Sequence, residues 1–197
     1  MAIYLVRHGK YENPEKITPF RLPGYPLSQE GILQAKNLAD YFADKNITAI
    51  FTSPITRAKQ TAEIIGSKLG LIPKISDLLI ETNSAYAGNK TEYLHKEIKN
   101  IFMSQFHIGH NGDLIDQIFA RMKRMIDSIL INFQNKSAIC VSHGDPIMIY
   151  VSRIIGQPFS GSGDEKYSKM SYIQMGGVIK IVGDDENNLK IEQVSIT

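Results

Sequence analysis

Two histidines close apolar runs that lie far apart in the chain: Leu5-Val6-Arg7-His8-Gly9 near the start and Val141-Ser142-His143-Gly144 much later. An arginine leads the first, and Ser53-Pro54-Ile55-Thr56-Arg57 sets a second arginine at a helix start. Guanidinium groups grip phosphate oxygens through two parallel hydrogen bonds. A helix N-terminus adds backbone N–H donors and a dipole that favours an anion. Arg7, His8, Arg57 and His143 in one pocket would therefore suit a dianionic phosphoryl group. The sequence carries no HExxH, no CxxC and no cluster of Asp/Glu with His, so neither a metal nor another cofactor is expected. A phosphoryl site without a metal needs a side-chain nucleophile, and imidazole is the best candidate here.

The elements around these residues must bring them together. Ala2 to Val6 and Ala138 to Val141 read as strands buried on both faces, apolar without alternation. In an open α/β sheet, ligands bind beyond the carboxyl ends of the strands, which is where both histidines stand. Strand and helix signals alternate along the chain, which predicts an α/β layer architecture. A polar loop from Lys10 to Pro26 precedes a helix opened by Ser28 and Gly31 and carrying Leu33, Ala35, Leu38, Ala39 and Phe42. Thr48 to Thr52 is a second strand, after which Ser53 is expected as N-cap and Pro54 as first helical residue. That helix should bury Ala58, Ala62, Ile65 and Leu69 and stop at Gly70. Ile75 to Ile80 is a candidate strand and Thr91 to Met103 a candidate helix. Asp113 should cap a long helix whose Ile115, Ile118, Phe119, Met122, Ile126, Ile129 and Phe133 form one apolar stripe, with Met122 and Met125 in the core. A helix should run from Gly144 to Ile155, a Gly/Ser loop from Gln157 to Lys166, and a hairpin from Ser171 to Ile196.

The 197 residues are read as a single domain, 1–197, and 43% are hydrophobic, enough for a substantial core. A net charge of +2 with interspersed signs points to neither nucleic acid nor a membrane surface as partner. The lone cysteine, Cys140, reads as a buried strand residue and suits a reducing compartment. Neither a signal peptide nor a membrane span is visible, so a soluble cytoplasmic protein is the expectation.

Leu5-Val6-Arg7-His8-Gly9-Lys10 resembles the RHG signature of the histidine phosphatase (phosphoglycerate mutase-like) superfamily. The segment from Ser53 to Ile65 resembles its second block, and Val141 to Ile147 its third, in the family's order over essentially the whole chain. The resemblance implies a three-layer α/β/α sandwich with a mostly parallel central sheet and a small helical lid, here 82–112. It implies that His8 becomes a phosphohistidine while Arg7, Arg57 and His143 hold the phosphoryl oxygens. It implies a glutamate as general acid: Glu81 is the matching position and Glu92 the alternative. Asn13 is a candidate pocket residue, one place nearer His8 than the asparagine of the mutases, and Gly144 a candidate binding position.

The span between Glu81 and His143 is short and lacks the arginine-rich stretch of the cofactor-dependent mutases. Hydrolysis of a small phosphorylated metabolite is therefore the expected reaction, with Tyr86, Tyr93 and Phe106 as an apolar wall. A protein phosphohistidine phosphatase, a mutase-type phosphotransferase and a non-catalytic phosphate-binding module are the alternatives. Glu81 argues against the first of these, and the intact set Arg7, His8, Arg57 and His143 against the last. His95, His107 and His110 read as loop or surface residues. The oligomeric state has no sequence signature.

Overall fold

The structure, a computed structural model, describes residues 1–84, 86–92, 115–133, 136–157, 159, 170–183 and 188–196. Six strands, β1 (Ala2–Arg7), β2 (Ile47–Thr52), β3 (Lys74–Ile75), β4 (Ser137–Ser142), β5 (Val178–Val182) and β6 (Lys190–Val194), form one sheet in the order β3-β2-β4-β1-β5-β6. The first four strands of that order run parallel, whereas β5 is antiparallel to β1 and β6 to β5. Helices α1 (Gln29–Phe42) and α2 (Thr56–Leu69) cover one face, and α3 (Ile115–Asn132) and α4 (Gly144–Ile154) the other.

Successive residues of the central strands feed opposite cores, which is why their sequences are apolar without a break. Tyr4, Val6, Ile139 and Val141 pack with Leu38, Phe42, Ala58, Ala62 and Ile65 of α1 and α2. Ile3, Leu5, Ala138 and Cys140 pack with Met122, Ile126, Ile129, Ile147 and Val151 of α3 and α4. Each large side chain so buried contributes roughly 1.5–3 kcal/mol, and together they hold the strand ends in register. That register matters: Arg7 is level with Ser142, and Val141 with Thr52. The next residues, His8, His143 and Ser53, leave the sheet side by side at its carboxyl edge. The His8 amide donates to the Ser142 carbonyl at 3.1 Å, and the Ser53 amide to that of Val141 at 2.9 Å.

The three-layer α/β/α architecture with a mostly parallel sheet is as expected, and Ser28 caps α1, its Oγ accepting from the Gly31 amide at 3.2 Å. Three local expectations are corrected. The N-cap of α2 is Ile55 rather than Ser53, and its side chain makes no cap bond; the Ser53-Pro54 turn stands outside the helix because its hydroxyl is engaged at the sheet edge. Ile75 to Ile80 is not a strand: β3 ends at Ile75 and a 3-10 turn, Asp77–Leu79, carries the chain down to bury Leu79. Leu33 points outward, 58% exposed, because it lies off the face that buries Ala35, Leu38, Ala39 and Phe42. The helix expected from Thr91 lies outside the described residues beyond Glu92, as do Asp113, most of the expected lid at 82–112, nearly all of the expected loop at 157–166, and residues 184–187 of the expected hairpin. Among the described residues no helix is long and apolar enough to cross a membrane.

One close approach fixes the loop after His8. The Lys10 carbonyl accepts from the Ser28 amide at 2.9 Å, and the Lys10 amide donates to Gln34 Oε1 at 2.8 Å. The loop thus lies against the first turn of α1, and a Cβ on Gly31 would fall 1.8 Å from the Lys10 carbonyl oxygen. Gly31→Ala should therefore cost about 1–3 kcal/mol and lower the melting temperature by several degrees in a calorimetric scan. An unchanged melting temperature would contradict this packing.

Candidate active site

His8 follows β1 directly and is 2% exposed. Its Nδ1 lies 2.8 Å from the Gly9 carbonyl, which can only accept, so Nδ1 carries the ring hydrogen and Nε2 the lone pair. Arg57 Nε donates to that Nε2 at 3.1 Å. Burial first, then the charges of Arg57 and Arg7, hold the His8 pKa well below the ordinary histidine value, against the pull of the Gly9 carbonyl. The imidazole is neutral, with its lone-pair nitrogen facing a guanidinium.

Arg57 sits in the first turn of α2 and is 1% exposed. Its Nη2 donates to the Phe20 carbonyl at 2.8 Å, and its guanidinium lies 5.1 Å from the centroid of the Tyr11 ring. Arg7, half-buried at the end of β1, donates from Nη1 to the Ile173 carbonyl at 2.8 Å and lies over Tyr172 at 5.3 Å. His143 is fully buried, with Nε2 2.8 Å from Ser53 Oγ and its ring 5.0 Å from that of His8. Burial, then Arg57, His8, Arg7 and Arg121, keep His143 neutral as well. Three buried nitrogens from these residues, Arg7 Nε, Arg57 Nη1 and His143 Nδ1, have no hydrogen-bond partner among the described residues. A buried donor left unpaired costs about 1–3 kcal/mol, and His143 Nδ1 is a donor in the tautomer whose Nε2 accepts from the Ser53 hydroxyl. Three on separate elements around one imidazole suit an anion with several oxygens, and α4 begins there without a side-chain cap.

Glu81 enters from the chain just past the Asp77–Leu79 turn. Its Oε1 accepts from the Thr82 amide at 2.8 Å, and its main-chain carbonyl from Arg21 Nε at 2.7 Å. Its Oε2 lies 3.7 Å from Arg57 Nη2 and 3.4 Å from His143 Nδ1. Burial, followed by the negative charge of Asp145, pushes its pKa up to about 7, against the lowering effects of Arg57, the Thr82 amide and Arg7. Near neutral pH this carboxyl exchanges readily between acid and base.

The structure thus brings Arg7, His8, Arg57, His143 and Glu81 together. Glu92 is exposed, next to undescribed chain. Asn13 is engaged in its own loop: Nδ2 donates to the Ile17 carbonyl at 2.8 Å, and Oδ1 accepts from the Ile17 amide at 3.1 Å. Gly144 is the first residue of α4, against Tyr172. Cys140 is fully buried between β1 and β2, with its thiol pKa raised by burial. Tyr86 is half-buried, whereas Tyr93, His95, Phe106, His107 and His110 lie outside the described residues.

Sequence reasoning missed several residues that complete the site. Ser53 was read as a cap; its proline neighbour gave that signal, and nothing local marks it as a partner of His143. Thr61 accepts from the Gly9 amide at 3.1 Å and donates to the Arg57 carbonyl at 2.8 Å, tying the histidine loop to the arginine turn. Asp145 was visible beside His143-Gly144 without an assigned part. Tyr11 and Tyr172 had no signal.

His8, Glu81 and His143 each offer a ligand atom within 4.8 Å of the others, the arrangement among the described residues that a metal ion could use. Two guanidiniums oppose a cation there: at about 4 Å and an effective dielectric near 20, each like-charged pair costs about 4 kcal/mol. The residues fit an oxyanion better than a cation.

Residues 3–177 match the family model described as the histidine phosphatase superfamily, branch 1. An uncharacterized protein of Mycobacterium tuberculosis is 30% identical over 154 residues, 74% of each chain. A probable phosphoglycerate mutase of Yersinia pestis is 26% identical over 204 residues, 93% of each chain. Among solved structures, the mycobacterial glucosyl-3-phosphoglycerate phosphatase superposes with a TM-score of 0.80 at 17% identity, covering 98% of this chain and 96% of that one; at that identity the likeness is one of fold.

If the unpartnered nitrogens hold an oxyanion, Arg57→Lys should weaken binding of inorganic phosphate about 10- to 100-fold, since lysine keeps the charge but loses the fork. Calorimetric titration measures this directly, and equal affinities would remove Arg57 from the anion site.

Proposed function

The chain belongs to the histidine phosphatase superfamily, and from that premise we propose that it hydrolyses a small phosphomonoester through a phosphohistidine on His8. One observation carries the reading: the bare Nε2 of a neutral, buried histidine lies among unpartnered nitrogens of Arg7, Arg57 and His143. An arriving phosphoryl group takes the hydrogen bond that Arg57 Nε gives His8. Its oxygens are held by both guanidiniums and His143 Nδ1, where charge accumulates during transfer. The His8 Nε2–phosphorus bond forms as the bond to the ester oxygen breaks, and Glu81 gives its proton to the departing alkoxide. The Nδ1 hydrogen stays on the ring, donated to the Gly9 carbonyl. Glu81, now a carboxylate, takes a proton from the water that attacks phosphohistidine, releasing phosphate and restoring both residues.

Hydrolysis is favoured over transfer to a second substrate by the short span between Glu81 and His143, which lacks an arginine-rich stretch. The relative described as a probable phosphoglycerate mutase makes phosphotransfer the competing outcome. A reducing, cytoplasmic setting agrees with the single buried Cys140.

The protein should hydrolyse p-nitrophenyl phosphate in excess EDTA, and quenching with alkali should trap an acid-labile phosphoenzyme that His8→Ala cannot form. Label on another residue, or activity that requires added magnesium, would overturn the mechanism. Product analysis with a phosphorylated hydroxy acid separates phosphate release from transfer to a second position.

Glu81 gives a pH signature. A carboxyl with its pKa near 7 loses its proton as pH rises through that value, so hydrolysis of an alkyl phosphate should decline above about pH 7. The limb from His8 protonation should lie below the ordinary histidine pKa of about 6.5. Glu81→Gln should slow the alkyl ester by about 10² to 10⁴-fold and abolish the alkaline decline. p-Nitrophenyl phosphate, whose leaving group needs no proton, should suffer far less. Equal losses on both esters would exclude Glu81 as the acid.

A further inference from the structure

Arg7 differs from Arg57 in how it is held. Arg57 has two directed bonds, to His8 Nε2 and to the Phe20 carbonyl. Among the described residues the Arg7 side chain has one, from Nη1 to the Ile173 carbonyl, and its guanidinium lies over the Tyr172 ring, 5.3 Å from the centroid. Tyr172 is itself anchored: its hydroxyl donates to Asp145 Oδ1 at 2.6 Å. This contact needs the glycine before the aspartate, because a Cβ on Gly144 would lie 2.3 Å from the tyrosine oxygen. The same strap grips the Arg7 backbone. The Arg7 amide donates to the Gly177 carbonyl at 3.0 Å, and the Gly176 amide to the carbonyls of Arg7 and His8 at 3.1 and 3.0 Å. Backbone and side chain of one arginine are thus fixed by residues 172–177, and the strap is pinned to the start of α4 through Asp145.

Building on the phosphatase reading, we propose that Tyr172 and Asp145 are positioning residues that hold the Arg7 guanidinium in the plane required to meet the phosphoryl group in flight. Toward the phosphoryl group they act through Arg7, and they touch neither the substrate nor phosphorus. A tilted guanidinium still neutralises a bound phosphate by charge. It loses the directional hydrogen bonds that matter most when the phosphoryl oxygens lie in one plane between entering and leaving atoms. The ground state should feel the change little and the transition state strongly.

Vanadate, which adopts the five-coordinate arrangement on a nucleophile, and inorganic phosphate separate the two. In Tyr172→Phe, which keeps the ring and removes the anchor, vanadate inhibition should weaken about tenfold and phosphate inhibition less than about threefold. The kcat should fall about tenfold at nearly constant KM. Asp145→Asn should weaken vanadate and phosphate inhibition in the same ratio as Tyr172→Phe, and it serves if the tyrosine variant does not fold. Because the Asp145 charge also raises the Glu81 pKa, turnover of this variant is compared on p-nitrophenyl phosphate, whose leaving group needs no proton. Melting temperatures check both. The decisive comparison is a double-mutant cycle: in an Arg7→Gln background, Tyr172→Phe should cause no further loss. Additive losses, or equal weakening of vanadate and phosphate, would overturn the proposal. A wild-type protein that binds neither anion would overturn the phosphatase reading with it, whereas normal wild-type binding with an additive cycle would defeat the positioning role alone.

Discussion

The hydrogen bond from Arg57 Nε to His8 Nε2 is the contact around which the rest is arranged. A permanent cation donating to an imidazole lone pair makes sense only if that imidazole is neutral and its other nitrogen carries the hydrogen, and the Gly9 carbonyl ensures the latter. The pair is buried, so the electrostatic field acts with little solvent screening. Protonating His8 would set a second positive charge beside the Arg57 guanidinium, whose Nε lies 3.1 Å from Nε2. Burial first, and then repulsion from the arginines, keeps the imidazole neutral, and under the proposed mechanism those same arginines attract the phosphoryl dianion.

The environment then divides the titratable groups. Desolvation lowers the pKa of His8 and His143 and raises that of Glu81, because it always disfavours the charged form. Asp145 adds its charge to the lift on Glu81, while the two arginines restrain it. A base and an acid therefore coexist near neutral pH within a few ångströms, the separation of pKa values on which acid–base partnership depends.

Geometry of this kind needs a rigid frame. The parallel register of β2, β4 and β1 delivers Ser53, His143 and His8 to one edge, and two cores lock the strands from either side. Thr61 bridges the loop after β1 to the first turn of α2, and Gly31 lets that loop lie flat on α1. Neither Thr61 nor Gly31 reacts, yet a displacement of an ångström at either would be felt at Nε2.

The sequence by itself determined the layer architecture, the sheet-edge location of the two histidines and the membership of Arg7, His8, Arg57 and His143 in one set. Each of those signals is local: an apolar run buried on two faces, a helix start, an arginine or histidine at the next position. Glu81 was legible through family resemblance, since no spacing rule connects it to His8. What tertiary structure decided is everything that depends on approach between distant segments. Ser53 looked like a helix cap because serine before proline favours one, but the strand register carried its hydroxyl to His143 instead, and α2 began two residues later. The stretch after Ile75 reads as a strand by its apolar content, yet it turns in a 3-10 step to bury Leu79 and deliver Glu81. Tyr172 and Asp145 meet only because the strap before β5 returns to the start of α4. The pKa values follow the same division, for residue type sets the starting value and burial among particular charges sets the shift, and burial is a property of the folded chain alone.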